Sequence, residues 1–142
     1  MMDRCTETAK QLLLENGYTC VLCSADAEYH SCDRGVRPLI DFLDADVDFH
    51  GFFAADKTVG AGAAHAYVLL GVAEVWAKII SESGKRVLET NGIRVFADEV
   101  VPHIINRAGD GVCPFETAVR GVDDSREALA VMREKLKQMN RK

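Results

Sequence analysis

The sequence predicts an α/β fold, a layered sheet with at least partly parallel strands and helices on both faces. Three observations predict it. Helix-period and strand-period stretches alternate through the middle of the chain. The connections between them are short. One strand, "EVWAKIIS" at 74–81, is a nearly continuous apolar run, as a strand covered on both faces requires. The chain has 142 residues, so a single domain over 1–142 is expected. A chain of that size buries roughly two-thirds of its unfolded surface, enough for a core without metals or disulfides.

The elements follow in order. "TETAKQLLLEN" puts Ala9, Leu12 and Leu13 on one helical face and stops at Asn16-Gly17. "YTCVLCSA" is a short apolar strand, and "EYHSC" can pair with it across Ala25-Asp26-Ala27. "GVRPLIDFLDAD" carries Pro38 in a first helical turn, with Leu39, Phe42 and Leu43 behind it. "DFHGFFAAD" is the next strand. The alanine- and leucine-rich "KTVGAGAAHAYVLLG" is a tightly packed helix that ends at Gly71. After the strand 74–81, "SESGKRVLETNG" is a helix ended by Asn91-Gly92, and "IRVFAD" is a strand. "DEVVPHIINR" is expected to be helical, capped by Asp98 with Pro102 near its first turn. "CPFETAVRG" starts a short helix. "DSREALAVMREKLKQM" closes the chain, with Asp124 and Glu127 placed as a capping box.

Composition narrows the function classes. Hydrophobic residues make up 48% and charged residues 27%, an ordinary globular balance. The formal net charge of −5 argues against a general nucleic-acid binder. The basic "REKLKQMNRK" closes a helix and complements its dipole. "AAHAYVLLGVAEVWA" carries His65, Gly71 and Glu74, so it is a helix followed by a strand and no membrane partner is expected. The first ten residues carry no signal-peptide pattern, and the five cysteines are an odd number. A disulfide framework is therefore not expected, and a reducing cytoplasm is.

Four stretches offer chemistry. In "GDGVCPFE" (109–116), Pro114 takes the first helical position, which makes Cys113 the N-cap. Serine, threonine or aspartate would cap better. A thiol at a helix start is more acidic than a free one, so Cys113 is a candidate nucleophile. Glu116 is its candidate base or hydrogen-bond anchor, although its charge works against a thiolate. The alternative is a packed cysteine with a capping glutamate.

In "ADKTVGAGAAH" (55–65), Asp56 and Lys57 are expected at a strand end, the usual site region of an open α/β sheet. Gly60 and Gly62 lead into a helix whose N–H groups can hold an anion. Close helix packing explains both glycines equally well. In "CVLC", Cys20 and Cys23 lie on a strand and point to opposite faces, so a zinc knuckle is not expected. In "INRAGDG", Asn106 and Arg107 are expected to end a helix shortly before Cys113. Arg107 either forks onto a phosphate or carboxylate, or simply complements the helix dipole.

These residues carry a family resemblance. The chain resembles the family called domain of unknown function 1893, which is placed in the cytidine-deaminase-like superfamily. The matching stretches run from about Gly35 onward: "GVRPLIDFL", "ADKTVGAGAA", "GVAEVWAKIISE", "NGIRVFADEVVPHIINRAGDGVCPFE" and the closing helix. The specific motifs are Asp56-Lys57-x-Val59-Gly60 and Asn106-Arg107 followed by Gly111-x-Cys113-Pro114-x-Glu116. The family often has a lysine after the motif glycine, and this chain has Ala61 there. The resemblance implies a three-layer α-β-α sandwich with a mixed, largely parallel sheet.

Zinc deaminases place His-x-Glu at one helix start and Pro-Cys-x-x-Cys at the next. The corresponding starts here are "VGAGAAHAY" and "ISESGKR", with no cysteine ligand and no glutamate two residues after His65. A metal-free site without a cofactor is therefore expected. Ser81 and Glu82 fall where the family's next helix begins and are expected to share a crevice with Asp56, Lys57 and Gly60.

Three functions remain in play. The first is binding of a small polar or nucleotide-like molecule, with Lys57 and Arg107 on an anionic group. The second is an enzyme with Cys113 as nucleophile. The third is a non-catalytic interaction module. The superfamily resemblance adds a homo-oligomer as an expected assembly.

Overall fold

A computed structural model describes residues 1–33, 35–106 and 108–140. The strands are β1 (Cys20–Cys23), β2 (Glu28–Ser31), β3 (Phe53–Val59), β4 (Glu74–Ser81) and β5 (Arg94–Val101). The helices are α1 (Arg4–Asn16), α2 (Arg37–Asp44), α3 (Ala61–Leu70), α4 (Glu82–Thr90), α5 (Pro114–Ala118) and α6 (Ser125–Asn140). The strands form one open sheet in the order β2-β1-β3-β4-β5. β1 is antiparallel to both neighbours, while β3, β4 and β5 are parallel. The fold is thus mixed α/β with a largely parallel five-stranded sheet.

The two faces of the sheet are unequally covered. One face and helices α2–α6 build the main core, around Leu22, Leu39, Tyr67, Val75, Ile80, Leu88 and Met132. The other face carries a small cluster in which Ala9 and Leu13 of α1 meet Val21, Ala55 and Trp76. α1 starts at Asp3, whose side chain accepts from the Cys5 N–H, and ends at Gly17 in the left-handed conformation. Its sheet-facing residues are those its periodicity predicts. Cys20 and Cys23 fall in opposite cores, so they point to opposite faces of β1.

Two boundaries differ from the sequence expectation, both for the same reason. The strand expected over 48–56 begins at Phe53 and runs on through Lys57, Thr58 and Val59. Thr58 and Val59 pair with Ile79 and Ile80 of β4, and a parallel ladder of β-branched residues extends the strand to the edge of α3. The second concerns the helix expected over 98–107, which does not form over its described residues. Glu99, Val100 and Val101 instead pair with Ile79, Ile80 and Ser81, extending β5. Neighbouring strand contacts outweigh the capping potential of Asp98, and Pro102, which lacks an N–H, follows the last paired residue. Ile104–Asn106 and Gly111–Cys113 then form a short two-stranded turn. Ile105 bridges Val112, and the Cys113 N–H donates to the Ile104 carbonyl at 2.8 Å.

Among the described residues no helix is long and apolar enough to cross a membrane.

Candidate functional site

A cleft of about 750 Å³ opens where β3 runs into α3, large enough for a drug-sized molecule. β1 and β3 form part of its wall, with α2, the 104–113 turn and α5 around them. Asp56, Lys57, Gly60, Asn106, Cys113 and Glu116 all line it. Six of the residues singled out in the sequence therefore surround one volume. Its apolar lining comes from Val36, Leu39, Ile104 and Phe115, among others.

Asp56 is 8% exposed, on a strand whose other buried residues are Ala54, Ala55 and Val59. Its register partners are Cys20 on β1 and Ala77 on β4. Tyr67 of α3, fully buried, donates its hydroxyl to Asp56 Oδ2 at 2.6 Å. The Thr58 N–H donates to Oδ1 at 3.1 Å. Burial pushes the Asp56 carboxyl up to about 7, against the opposing pull of the Tyr67 and backbone hydrogen bonds. The Cys20 thiol sits beside the Tyr67 hydroxyl; burial and the neighbouring Asp56 push it up, and burial and the same aspartate push Tyr67 up. The cluster is a buried acid, phenol and thiol at the foot of an open cleft, with an acid that changes charge near neutral pH.

Glu116 is 5% exposed and behaves differently. Its Oε2 accepts from the Ala61 N–H at 3.0 Å, and its Oε1 accepts from the Ile104 N–H at 3.1 Å. His103 Nδ1 stands 3.9 Å from Oε1. Ala61 opens α3, so the anion held by this helix start is the chain's own carboxylate. That explains Gly60: a Cβ there would overlap Glu116 Oε2. Gly62 has a packing role, since a Cβ would press on Met132 Sδ at 2.9 Å and Phe115 Cβ at 3.2 Å. Glu116 therefore does not close a capping box on its own helix. It ties α5, α3 and the 104–113 turn together.

The other residues fall as follows. Cys113 is half-buried at the N-cap of α5, and its thiol makes no capping hydrogen bond. α5 has only five residues, so its dipole is small. Asn106 does not end a helix. Its Oδ1 accepts from the Gly109 and Asp110 N–H groups, and its Nδ2 donates to Asp110 Oδ1, which shapes the loop. Arg107 lies outside the described residues. Ser81 is fully buried and caps α4 by accepting from the Gly84 N–H. Glu82 opens α4 beside a separate surface hollow with Lys85 and Arg86. Neither is on the cleft lining, because Ser81 turns onto its own helix. Among the described residues no group of His, Cys, Asp or Glu converges as a metal site.

Sequence reasoning missed Tyr67 and considered Cys20 only as a metal ligand. A signal existed: an aspartate in the apolar run "FFAAD" must find a buried donor, and Tyr67 is the one tyrosine in the helix that follows.

The protein-family model described as domain of unknown function DUF1893 matches residues 8–136. A solved structure of a DUF1893 family protein from Thermotoga maritima is similar in fold, with a TM-score of 0.87. The two chains are 23% identical, and the likeness covers 95% of this chain and 92% of the other. No curated protein matches the chain.

Proposed function

We propose that this chain, which belongs to the DUF1893 family of unknown function, binds a small polar molecule in the cleft between β3, α2 and α5. The observation that carries the reading is Asp56, a buried carboxylate with raised proton affinity on the lining of a 750 Å³ cavity. A core position would be cheaper to fill with an apolar side chain, and such unfavourable choices concentrate at functional sites. Lys57, Gly60 and Asn106 complete the surroundings, and a nucleotide-like molecule is within the size of the cleft. The deaminase-like fold and the absence of metal belong to the same reading. They rest on the family resemblance and on helix starts that lack zinc ligands.

The test is extraction of small molecules from the natively purified protein, followed by mass spectrometry. The wild type carries a molecule that Asp56→Asn loses. Empty wild-type protein that also binds nothing from a metabolite collection would leave the cleft without a role.

A second reading has its own observation. Cys113 is half-buried and lines the same cleft, where a bound molecule would meet its thiol. In that reading Cys113 is a nucleophile. Iodoacetamide labelling across pH, compared with Cys5 near the terminus, decides it. A Cys113 midpoint well under the free-thiol value of about 8.5 supports the enzyme, and labelling no faster than Cys5 removes it.

A further inference from the structure

The ligand class follows from which polar groups of the cleft are already occupied. The sequence suggests that an anionic group is held at the start of α3. That position is filled by Glu116, whose two oxygens take the Ala61 and Ile104 N–H groups. Asp56 is different. It is more than nine-tenths buried, and its carboxylate meets the Tyr67 phenol and the backbone N–H groups of Thr58 and Lys57. A carboxylate has about four acceptor positions, so these donors leave one open. Among the described residues no cation is paired with it.

Resting on the cleft-binding reading above, we infer that the cleft takes a small organic cation, an ammonium or amidinium group on an apolar body, with the cation seated on Asp56. The apolar lining from Val36, Leu39, Ile104 and Phe115 would hold the body. The cation supplies the charge partner that this buried carboxylate lacks among the described residues, and one of its N–H groups fills the remaining acceptor position. Around Asp56 the titratable groups are Tyr67 from α3, Cys20 from β1 and Lys57 beside it on β3, while β4 presents Ala77. Tyr67 and Cys20 are both pushed up and stay neutral near pH 7, so Asp56 alone of the cluster changes charge there. A cationic ligand therefore binds the ionised acid, and its affinity rises with pH.

Three probes of one shape and different charge test this: benzamidine, benzamide and benzoate. Binding is read from backbone amide NMR shifts of Thr58, Ala61 and Ile104 in the full chain. The expected order is benzamidine first, benzamide weaker, and benzoate absent. Benzamidine affinity rises roughly tenfold from pH 6 to pH 8, as the ionised fraction of Asp56 grows. Asp56→Asn weakens benzamidine by at least about tenfold and leaves benzamide unchanged, which also reports that the variant's cleft is folded. If Asp56→Asn does not fold, the pH series on wild type decides alone. Benzoate or benzamide binding ahead of benzamidine overturns the charge assignment and leaves cleft binding standing. Benzamidine affinity flat with pH overturns it as well. A cleft that none of the three probes touches overturns both readings.

Discussion

Asp56 and Glu116 are two carboxylates on one cleft, both more than nine-tenths buried, and the fold treats them in opposite ways. Glu116 receives two backbone N–H groups, one of them at the start of α3. Asp56 receives the Tyr67 phenol and backbone N–H groups of its own strand, away from any helix start. The first is a brace: its two hydrogen bonds join three segments. The second is held only by its own strand and Tyr67 of α3, and burial raises its proton affinity. The comparison shows that a buried charge is a structural tie when backbone donors surround it. It is a candidate binding group when burial on a cleft lining raises its proton affinity and it joins no distant segments.

The contrast can be broken or sharpened by substitution. The largest effect is expected at the brace. Glu116→Ala removes two charge-assisted hydrogen bonds and should cost about 3–5 kcal/mol in urea unfolding. Gly60→Ala, which forces Glu116 off α3, should cost about 1–3 kcal/mol. If Glu116→Ala costs under about 1 kcal/mol, the brace is not one.

Next comes Asp56→Asn, where the sign depends on pH. The native state holds the Asp56 proton up to about pH 7, while the ordinary value is 3.8. Stability from this group is therefore complete below about pH 4 and is lost as pH rises towards 7. The variant lacks that loss. Relative to wild type it should gain on the order of 2–4 kcal/mol between pH 4 and pH 8, read from unfolding free energies at both pH values. Parallel pH curves for the two proteins would mean that Asp56 is already ionised in the native state.

A smaller effect belongs to Tyr67→Phe. It removes the phenol donor from Asp56 and should cost about 1.5–3 kcal/mol when Asp56 is ionised. The Tyr67 bond pulls the acid down, so the variant should raise the midpoint at which the Asp56 carboxylic acid band disappears from the infrared spectrum. An unmoved midpoint would separate Tyr67 from Asp56.

The smallest effect lies on the side of α3 that faces α6. His65 is buried, and its Nδ1 sits 2.9 Å from Ser125 Oγ. Burial lowers its proton affinity. Its contribution is present above the ordinary value of 6.5 and is lost as pH falls below it. Ser125→Ala should cost about 1 kcal/mol at pH 8, and His65→Gln should flatten the acid limb of the stability curve. An acid limb unchanged in His65→Gln would assign acid sensitivity elsewhere.

Much of this molecule was legible in local pattern. The face of α1, the β1–β2 hairpin, the glycine stops at Gly17 and Gly71 and the N-cap position of Cys113 all follow from residues within a few positions of each other. Local signals failed where a strand could grow by pairing. Lys57–Val59 and Asp98–Val101 joined the parallel ladder because β4 lay alongside, and no short window of sequence contains that neighbour.

The site divides in the same way. By itself the sequence determined an α/β chain with chemistry concentrated at Asp56, Lys57, Gly60, Asn106, Cys113 and Glu116, because polar and special residues interrupt apolar periodicity there. Only the tertiary structure decided that these residues share one cleft, that Ser81 and Glu82 stand apart from it, and that Glu116 fills the start of α3. It alone also set Tyr67 against Asp56. Those pairings join positions 11 to 55 residues apart, and a contact at that separation exists only once the sheet and helices have packed.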